Sequence, residues 1–143
     1  MGERAHERPE EEELESEEGD EEGERVQECV EEANECHLVC AETVTYALQA
    51  GGAHAALPVV RSLLDAAEAC QLVVTLLLRR SEFAGRAGEF AAAAAERCAE
   101  RCDRFPEDQW MVECAEACRR CAGSCREVAG GRGGEAGPGA ELP

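Results

Sequence analysis

The chain has 143 residues, of which 32 are acidic and 14 are basic, so its formal net charge is −18. A phosphate backbone or an anionic membrane surface would repel such a chain, which argues against nucleic-acid and membrane partners. All of the basic residues are Arg, which excludes catalysis by Lys, and ten Cys against 3% aromatic residues predict a core of small side chains.

Both ends of the chain have compositions that cannot build a core. Residues 1–24 contain thirteen acidic side chains, so they are predicted to be a disordered, self-repelling tail. Residues 130–143 are rich in Gly and Pro and are predicted to be a second disordered tail. The folded domain is therefore placed at residues 25–129.

The chain carries no signal for leaving the cytoplasm. No apolar stretch approaches the roughly 20 residues of a membrane span, and the acidic start does not resemble a signal peptide. The expected compartment is the reducing cytoplasm, where ten thiols more often indicate metal binding than disulfides.

The folded domain divides into four helical segments. Their predicted bounds are about 25–50, 58–80, 82–104 and 107–128. The first helix is predicted to end at Gly51-Gly52, and Pro58 lies in the first turn of the second. A Ser81-Glu82 N-cap starts the third helix, and Pro106 precedes the fourth. Connections of two to seven residues place successive helices antiparallel. The predicted fold is therefore all-α, an antiparallel up-down-up-down four-helix bundle with disordered termini.

The ten cysteines are spaced so that they share helix faces. They are Cys29, Cys36, Cys40, Cys70, Cys98, Cys102, Cys114, Cys118, Cys121 and Cys125. Steps of three, four and seven residues keep side chains on one stripe of a helix. Charged side chains of the fourth helix fall off this stripe, namely Glu113, Glu116, Arg119, Arg120 and Arg126. The thiols are therefore predicted to point into the core.

Three interpretations of inward thiols remain open. They could be small hydrophobic fillers. They could form disulfides between helices, since the two pairs Cys98-x3-Cys102 and Cys114-x3-Cys118 have the spacing of twin CX3C helical hairpins. They could bind metal, and all ten are then candidate ligands.

Ligand type narrows the choice of metal. A lining of thiolates suits soft ions such as Cu(I) or Zn(II) and disfavours Mg, Ca or Mn. Zinc sites take four ligands at one point, usually from loops, whereas these cysteines are spread along four helices. Iron–sulfur clusters also use loop cysteines. Cu(I) accepts two or three thiolates that can bridge between ions, so several Cu(I) ions fit a ladder of CxxxC pairs best.

Enzymatic function is not expected. Nucleophilic catalysis by Cys needs an exposed, electropositive thiol beside a base, whereas these thiols are predicted to be buried in an acidic chain. No phosphate-binding Gly-rich loop or HExxH motif is present in the sequence.

The sequence resembles the cysteine-rich four-helix-bundle copper-binding proteins, the cytosolic copper storage family of bacteria. The likeness runs from about Cys36 to Ala129. The motifs that carry it are Cys36-His37-x2-Cys40, Gly51-Gly52-x-His54, Leu63-Leu64-Asp65 and, above all, Cys114-Ala115-x2-Cys118-Arg119-Arg120-Cys121-Ala122-x-Ser124-Cys125. The resemblance implies a homo-oligomer, often a tetramer, whose bundle cores hold many Cu(I) ions for storage, sequestration and detoxification. It also implies that His and Met residues near an open end help ions to enter.

The chain departs from the family pattern at several positions where relatives usually carry Cys. These positions are Ala47, Ala66, Gly88, Ala91 and Ala95. The alternative to storage is therefore a small discrete metal cluster, or a structural or interaction bundle stabilised by disulfides. His37, His54 and Met111 are additional candidate ligands, each with an ordinary alternative as a hydrogen-bonding, loop or core residue.

Overall fold

The computed structural model describes the backbone of residues 17–140 and the side chains of residues 19–130. Four helices account for most of it: α1 (Glu17–Ala50), α2 (Leu57–Leu78), α3 (Ala84–Cys102) and α4 (Gln109–Ala140), with a short 3-10 turn at Gly52–Ala55. No strand occurs between residues 17 and 140. The predicted all-α fold of four helices is confirmed.

Two helices are longer than predicted. Helix α1 begins at Glu17 rather than about Arg25, and α4 continues past Val128 to Ala140. The division of the chain into a bundle with two disordered tails stays a prediction. Glu is a good helix former, and negative side chains are favourable near a helix N-terminus. Extending a helix adds one hydrogen bond for each residue fixed. The remaining tail predictions concern residues 1–16 and 141–143, which lie outside the described residues.

The breaks between helices follow local chemistry. Gly51 and Gly52 have φ values of 74° and 57°, a region that residues with a Cβ rarely adopt, which is why α1 stops there. Arg80 has a φ of 55° and closes α2 with bonds from its own N–H to the Leu77 carbonyl and from the Ser81 N–H to the Leu76 carbonyl. This is the Schellman pattern. Ser81 completes the end of α2, and its Oγ accepts from the Phe83 N–H at 3.0 Å in the turn before α3. The N-cap position of α3 itself is Phe83, two residues later than predicted.

The helices pack in a ring in which each contacts the next and α4 contacts α1. Ion pairs on the surface show the direction of the chain. Arg119 pairs with Asp103 and Arg126 with Glu96, so α4 descends as α3 ascends. Cross-helix thiol pairs between α1 and α4 run in the same antiparallel sense. Between residues 17 and 140, none of the helices has both the length and the apolar character that crossing a membrane requires.

The core is made of small side chains. Ala and Cys dominate the buried cluster, and Leu63, Met111 and Val73 are the largest side chains that are fully buried in it. Among residues 19–130, the only buried polar side chains are Thr43, Ser62 and Ser124. The predicted charged face of α4 is exposed throughout. The bundle therefore encloses an axis that is lined by sulfur and methyl groups.

Candidate metal centre

All ten cysteines lie in the core, and none has more than 1% of its surface exposed. Three come from α1, one from α2, two from α3 and four from α4. Each is a free thiol. The inward orientation predicted from the spacing is confirmed, and within the described residues the structure pairs no cysteines in a disulfide.

The thiols touch one another along the bundle axis, starting from the end where α1 begins. The Cys29 Sγ lies 3.7 Å from the Cys125 Sγ, which lies 3.7 Å from the Cys121 Sγ. The Cys121 Sγ lies 3.6 Å from the Cys70 Sγ. Because Cys70 and Cys121 belong to α2 and α4, which face each other across the ring, this contact passes through the centre of the bundle.

The contacts continue toward the other end, which we call the turn end because the Gly52–Ala55 turn lies there. The Cys36 Sγ lies 3.8 Å from the Cys118 Sγ and 3.9 Å from the Cys40 Sγ. The Cys40 Sγ lies 3.6 Å from the Cys118 Sγ and 4.0 Å from the Cys114 Sγ.

The two halves of the axis join into one chain of thiols. Cys36 groups with Cys70 and Cys121 of the first half. The Cys98 sulfur lies within 4.8 Å of the Cys40, Cys114 and Cys118 sulfurs. Nine thiols therefore form one run through the bundle. The tenth, Cys102, lies one turn after Cys98 in α3, and hydrogen bonding with Cys114 and Cys98 raises its pKa.

Two sets of thiols are close enough to share an ion. The first, which we call the tetrad, consists of Cys40, Cys98, Cys114 and Cys118, whose sulfurs all lie within 4.8 Å of one another. The second, the triad, consists of Cys36, Cys70 and Cys121 under the same limit. The sequence argument treated the cysteines as spread along the helices. The structure gathers them into these two sets.

The thiol pKa values diverge because neighbouring sulfurs exchange hydrogen bonds in a dry core. Hydrogen bonds from surrounding thiols, Cys102 foremost, lower the pKa of Cys98 to about 6. The Cys118 and Cys102 thiols likewise lower the pKa values of Cys36 and Cys114. Elsewhere the hydrogen bond to Cys125 and then burial raise the pKa of Cys29. A few thiolates are thus favoured among protonated neighbours, and those thiolates are the form that binds metal.

His37 and His54, the two histidines among the described residues, both have hydrogen-bond partners in the protein. The His37 Nδ1 donates to the Ala67 carbonyl at 2.9 Å. The His54 Nε2 donates to the Asp108 Oδ2 at 2.8 Å, and the imidazole ring packs on Phe105 with centroids 4.1 Å apart. Met111 is fully buried one turn before Cys114. The hydrogen-bonding role considered for His37 matches its contact. His54, considered as an exposed loop residue, is instead half-buried against Asp108. Ligand roles for His37, His54 and Met111 stay predictions.

A polar cluster at the turn end was missed by the sequence analysis. The Asp108 Oδ2 also accepts a hydrogen bond from the Tyr46 hydroxyl at 2.6 Å, while its Oδ1 caps α4 by accepting from the Trp110 N–H at 3.0 Å. Tyr46 and Trp110 stack with ring centroids 4.5 Å apart. An Asp before a predicted helix signals the cap, but nothing local signals Tyr46, which is 62 residues away.

Replacing Asp108 by Asn is expected to lower the free energy of unfolding by about 1–2 kcal/mol at neutral pH, since Asn caps helices but cannot accept charged hydrogen bonds. Burial alone would raise the pKa of Asp108, but hydrogen bonds from Tyr46 and His54 outweigh it, so the pKa lies below its usual range. The stabilisation is therefore complete above the unfolded pKa of about 3.9 and is lost as the pH falls through the folded pKa. Urea unfolding across this range measures it.

The matched control is Asp103→Asn, which removes a half-exposed carboxylate that pairs with Arg119 on the surface. Such surface pairs contribute less than about 1 kcal/mol. An equal decrease in the free energy of unfolding for the two variants would contradict a stabilising role for the Asp108 carboxylate. So would a decrease for Asp108→Asn that is the same in acid as at neutral pH.

The positions where the family pattern leads one to expect further cysteines also lie in the core. Ala47, Ala66, Ala91 and Ala95 are fully buried. Gly88 differs from them, because a Cβ placed there would lie 3.0 Å from the Cys125 carbonyl oxygen and 3.5 Å from the Ala129 Cβ. Helices α3 and α4 therefore approach so closely at Gly88 that a side chain there would require the α4 backbone to shift.

This arrangement defines a helical bundle whose core is a run of contacting thiols, the donor set of a binding protein for soft metal ions. The sequence model of the copper storage protein family matches residues 22–130. The chain belongs to this family, and the predicted function, copper storage through buried cysteines, is confirmed.

Two solved structures are similar to the chain over most of its length. A crystal structure of a protein from Nitrosospira multiformis is 29% identical, with a TM-score of 0.71, and the match covers 76% of this chain and 97% of that one. The Cu(I)-bound copper storage protein BsCsp3 is 27% identical, with a TM-score of 0.68, covering 73% of this chain and 98% of that one. No curated protein sequence matches the chain.

Proposed function

We propose that all ten core thiolates serve as Cu(I) ligands and that the chain stores several Cu(I) ions along the bundle axis. The observation that carries this proposal is the run of neighbouring thiols from Cys29 to Cys98, along which the hydrogen-bonded sulfurs lie 3.6 to 4.0 Å apart. Cu(I) takes two or three thiolates, and each thiolate can bridge two ions. An ion bound at any pair then shares a ligand with an ion bound at the next pair.

The charge of the core favours binding of several Cu(I) ions over binding of a single ion. Ten thiolates without metal would place a large negative charge in a core that has no buried cation among residues 19–130, and such burial is very costly. Each Cu(I) ion carries one positive charge and offsets one thiolate. Each further ion therefore lowers the negative charge of the core, and about ten bridged ions would neutralise ten thiolates.

A storage role without catalysis is part of the same proposal. Thiols are the ionisable groups of the core between residues 19 and 130, so a bound ion meets no carboxylate or imidazole that could move a proton. The run of thiols is also closed to bulky substrates, since every cysteine is at most 1% exposed. Ions the size of Cu(I) are the expected cargo.

We further propose that the chain works in the cytoplasm as a homo-oligomer, without nucleic-acid or membrane partners. Ten free thiols suit a reducing compartment, and the net charge of −18 would repel polyanions. Self-association is supported by large apolar side chains that α2 leaves exposed. These are Leu57, Leu64, Leu72 and Leu78, with between 43% and 67% of their surface accessible.

The test is an anaerobic titration of the reduced, full-length protein with Cu(I) against a strong chromogenic Cu(I) chelator. Ten thiols in pairs hold about five ions, and bridging raises that number, so we expect the chain to outcompete the chelator for at least about five equivalents. An assay of free thiols after unfolding serves as the control that all ten were reduced. An endpoint of about one to four ions would favour a small discrete cluster, and no binding would overturn the proposal.

A further inference from the structure

The tetrad differs from the rest of the run in having four sulfurs around one point. Its members come from three helices: Cys40 from α1, Cys98 from α3, and Cys114 and Cys118 from α4. The Cys40 Sγ lies 3.6 Å from the Cys118 Sγ and 4.0 Å from the Cys114 Sγ. All four sulfurs lie within 4.8 Å of one another.

These separations match a tetrahedral dication site. A Zn–S bond of about 2.3 Å places tetrahedral thiolate sulfurs about 3.8 Å apart. The Cys40–Cys118 and Cys40–Cys114 separations lie on either side of that value. The four sulfurs therefore need only small adjustments to enclose a Zn(II) ion, and the helices that hold them are already packed in place.

The triad does not offer the same site. Cys36, Cys70 and Cys121 provide three sulfurs, and among the described residues no fourth His, Cys, Asp or Glu completes that group. Structural zinc almost always takes four protein ligands, whereas three thiolates satisfy Cu(I). The tetrad therefore has the number of sulfurs that Zn(II) requires, whereas the triad has the number that suits Cu(I).

A thiol next to the tetrad supplies hydrogen bonding that a buried tetrathiolate needs. The Cys36 Sγ lies 3.8 Å from the Cys118 Sγ and 3.9 Å from the Cys40 Sγ, within hydrogen-bonding distance for sulfur. Zinc bound by four thiolates carries two negative charges, and S–H donors offset part of the cost of burying them.

We propose that the tetrad is a Zn(II) site, which holds one zinc ion per chain when Cu(I) is scarce and releases it as copper loads. The exchange needs no oxidant or reductant. The four Zn–S bonds break as Cu–S bonds form on the same thiolates, and Zn(II) leaves to water. Cu(I) prevails because it is the softer ion and because more than one Cu(I) can share the four sulfurs with less net charge.

The test uses Co(II) as a spectroscopic substitute for Zn(II) in the reduced, full-length protein under anaerobic conditions. We expect one equivalent of Co(II) to give the intense visible bands and sulfur-to-cobalt charge transfer of a tetrahedral tetrathiolate. One equivalent of Zn(II) should remove these bands. Titration of the zinc-loaded protein with Cu(I) should then release one zinc ion per chain, detected with a metallochromic dye.

Two matched variants locate the site. Cys98→Ala removes a tetrad ligand and is expected to weaken Co(II) binding at least about 100-fold, because even the loss of an outer-shell partner costs 10- to 100-fold. Cys29→Ala removes a thiol at the far end of the run and should leave the spectrum and affinity unchanged. Far-UV circular dichroism of both apo-variants verifies that each remains folded, and Cys40→Ala replaces Cys98→Ala if that chain unfolds.

The result that would overturn the inference is an octahedral or absent cobalt spectrum in the wild-type protein. Equal weakening by Cys98→Ala and Cys29→Ala would also overturn it. The outcome is independent of the copper proposal, since Cu(I) storage could succeed in the chelator titration while Co(II) and Zn(II) fail to bind.

Discussion

Cu(I) loading is expected to raise the melting temperature of the reduced protein by more than about 20 °C. A site that is filled to about a hundred times its dissociation constant adds about 2.7 kcal/mol to the free energy of unfolding. Several such sites add to more than about 10 kcal/mol, and each kcal/mol moves the midpoint of a domain of this size by several degrees. Calorimetry of the apo and loaded proteins measures the shift.

The shift should be large because the apo-core is poor in apolar area. Its largest fully buried side chains are Leu63, Met111 and Val73, and much of the remainder is Ala or Cys. Copper–sulfur bonds would connect all four helices, since each helix contributes at least one cysteine to the run. Metal binding is in this way coupled to folding.

A comparison of two cysteine variants tests whether the bonds across the core cause the shift. Cys118 contacts both Cys36 and Cys40 of α1, whereas Cys29 contacts Cys125 at one end of the run. Cys118→Ala should therefore forfeit a larger part of the copper-induced stabilisation than Cys29→Ala. Copper that binds at full stoichiometry without moving the melting temperature would contradict an interior site.

Restoring cysteine at Ala66 and Ala95 together is expected to increase Cu(I) capacity by about one ion per chain, since two thiolates hold one ion. Both positions are fully buried. Ala66 lies one helical turn before Cys70, and Ala95 lies one turn before Cys98 on the same stripe. The chelator titration of the double variant against the wild-type protein measures the gain.

Two further substitutions serve as controls. Ala93→Cys adds a thiol to α3 on its exposed face and should leave the number of ions that outcompete the chelator unchanged. Gly88→Cys should destabilise the bundle by about 1–3 kcal/mol, the usual cost of overpacking, because a Cβ there meets the Cys125 carbonyl oxygen. A gain from Ala93→Cys equal to that from the double variant would show that added thiols bind copper without regard to position.

The sequence alone determined the helices, their order and the face on which the thiols lie. The breaks at Gly51-Gly52 and Pro58 are local in origin, and the structure has them where the sequence predicted them. The spacing of Cys114, Cys118, Cys121 and Cys125 fixes one stripe because the α-helix has a constant period. Such features depend on residues within a turn or two of one another, so one sequence is enough to read them.

Other features were decided by the tertiary structure. Cys40 and Cys98 belong to one tetrad, and Cys70 contacts Cys121. Both contacts depend on how far the helices that face each other across the bundle are shifted along its axis. That offset is the sum of many side-chain contacts along each interface, and no local pattern encodes it. The same holds for His54, which reaches Asp108 because packing brings the turn against the start of α4. The sequence therefore specified a thiol-lined bundle, and packing specified which thiols share an ion.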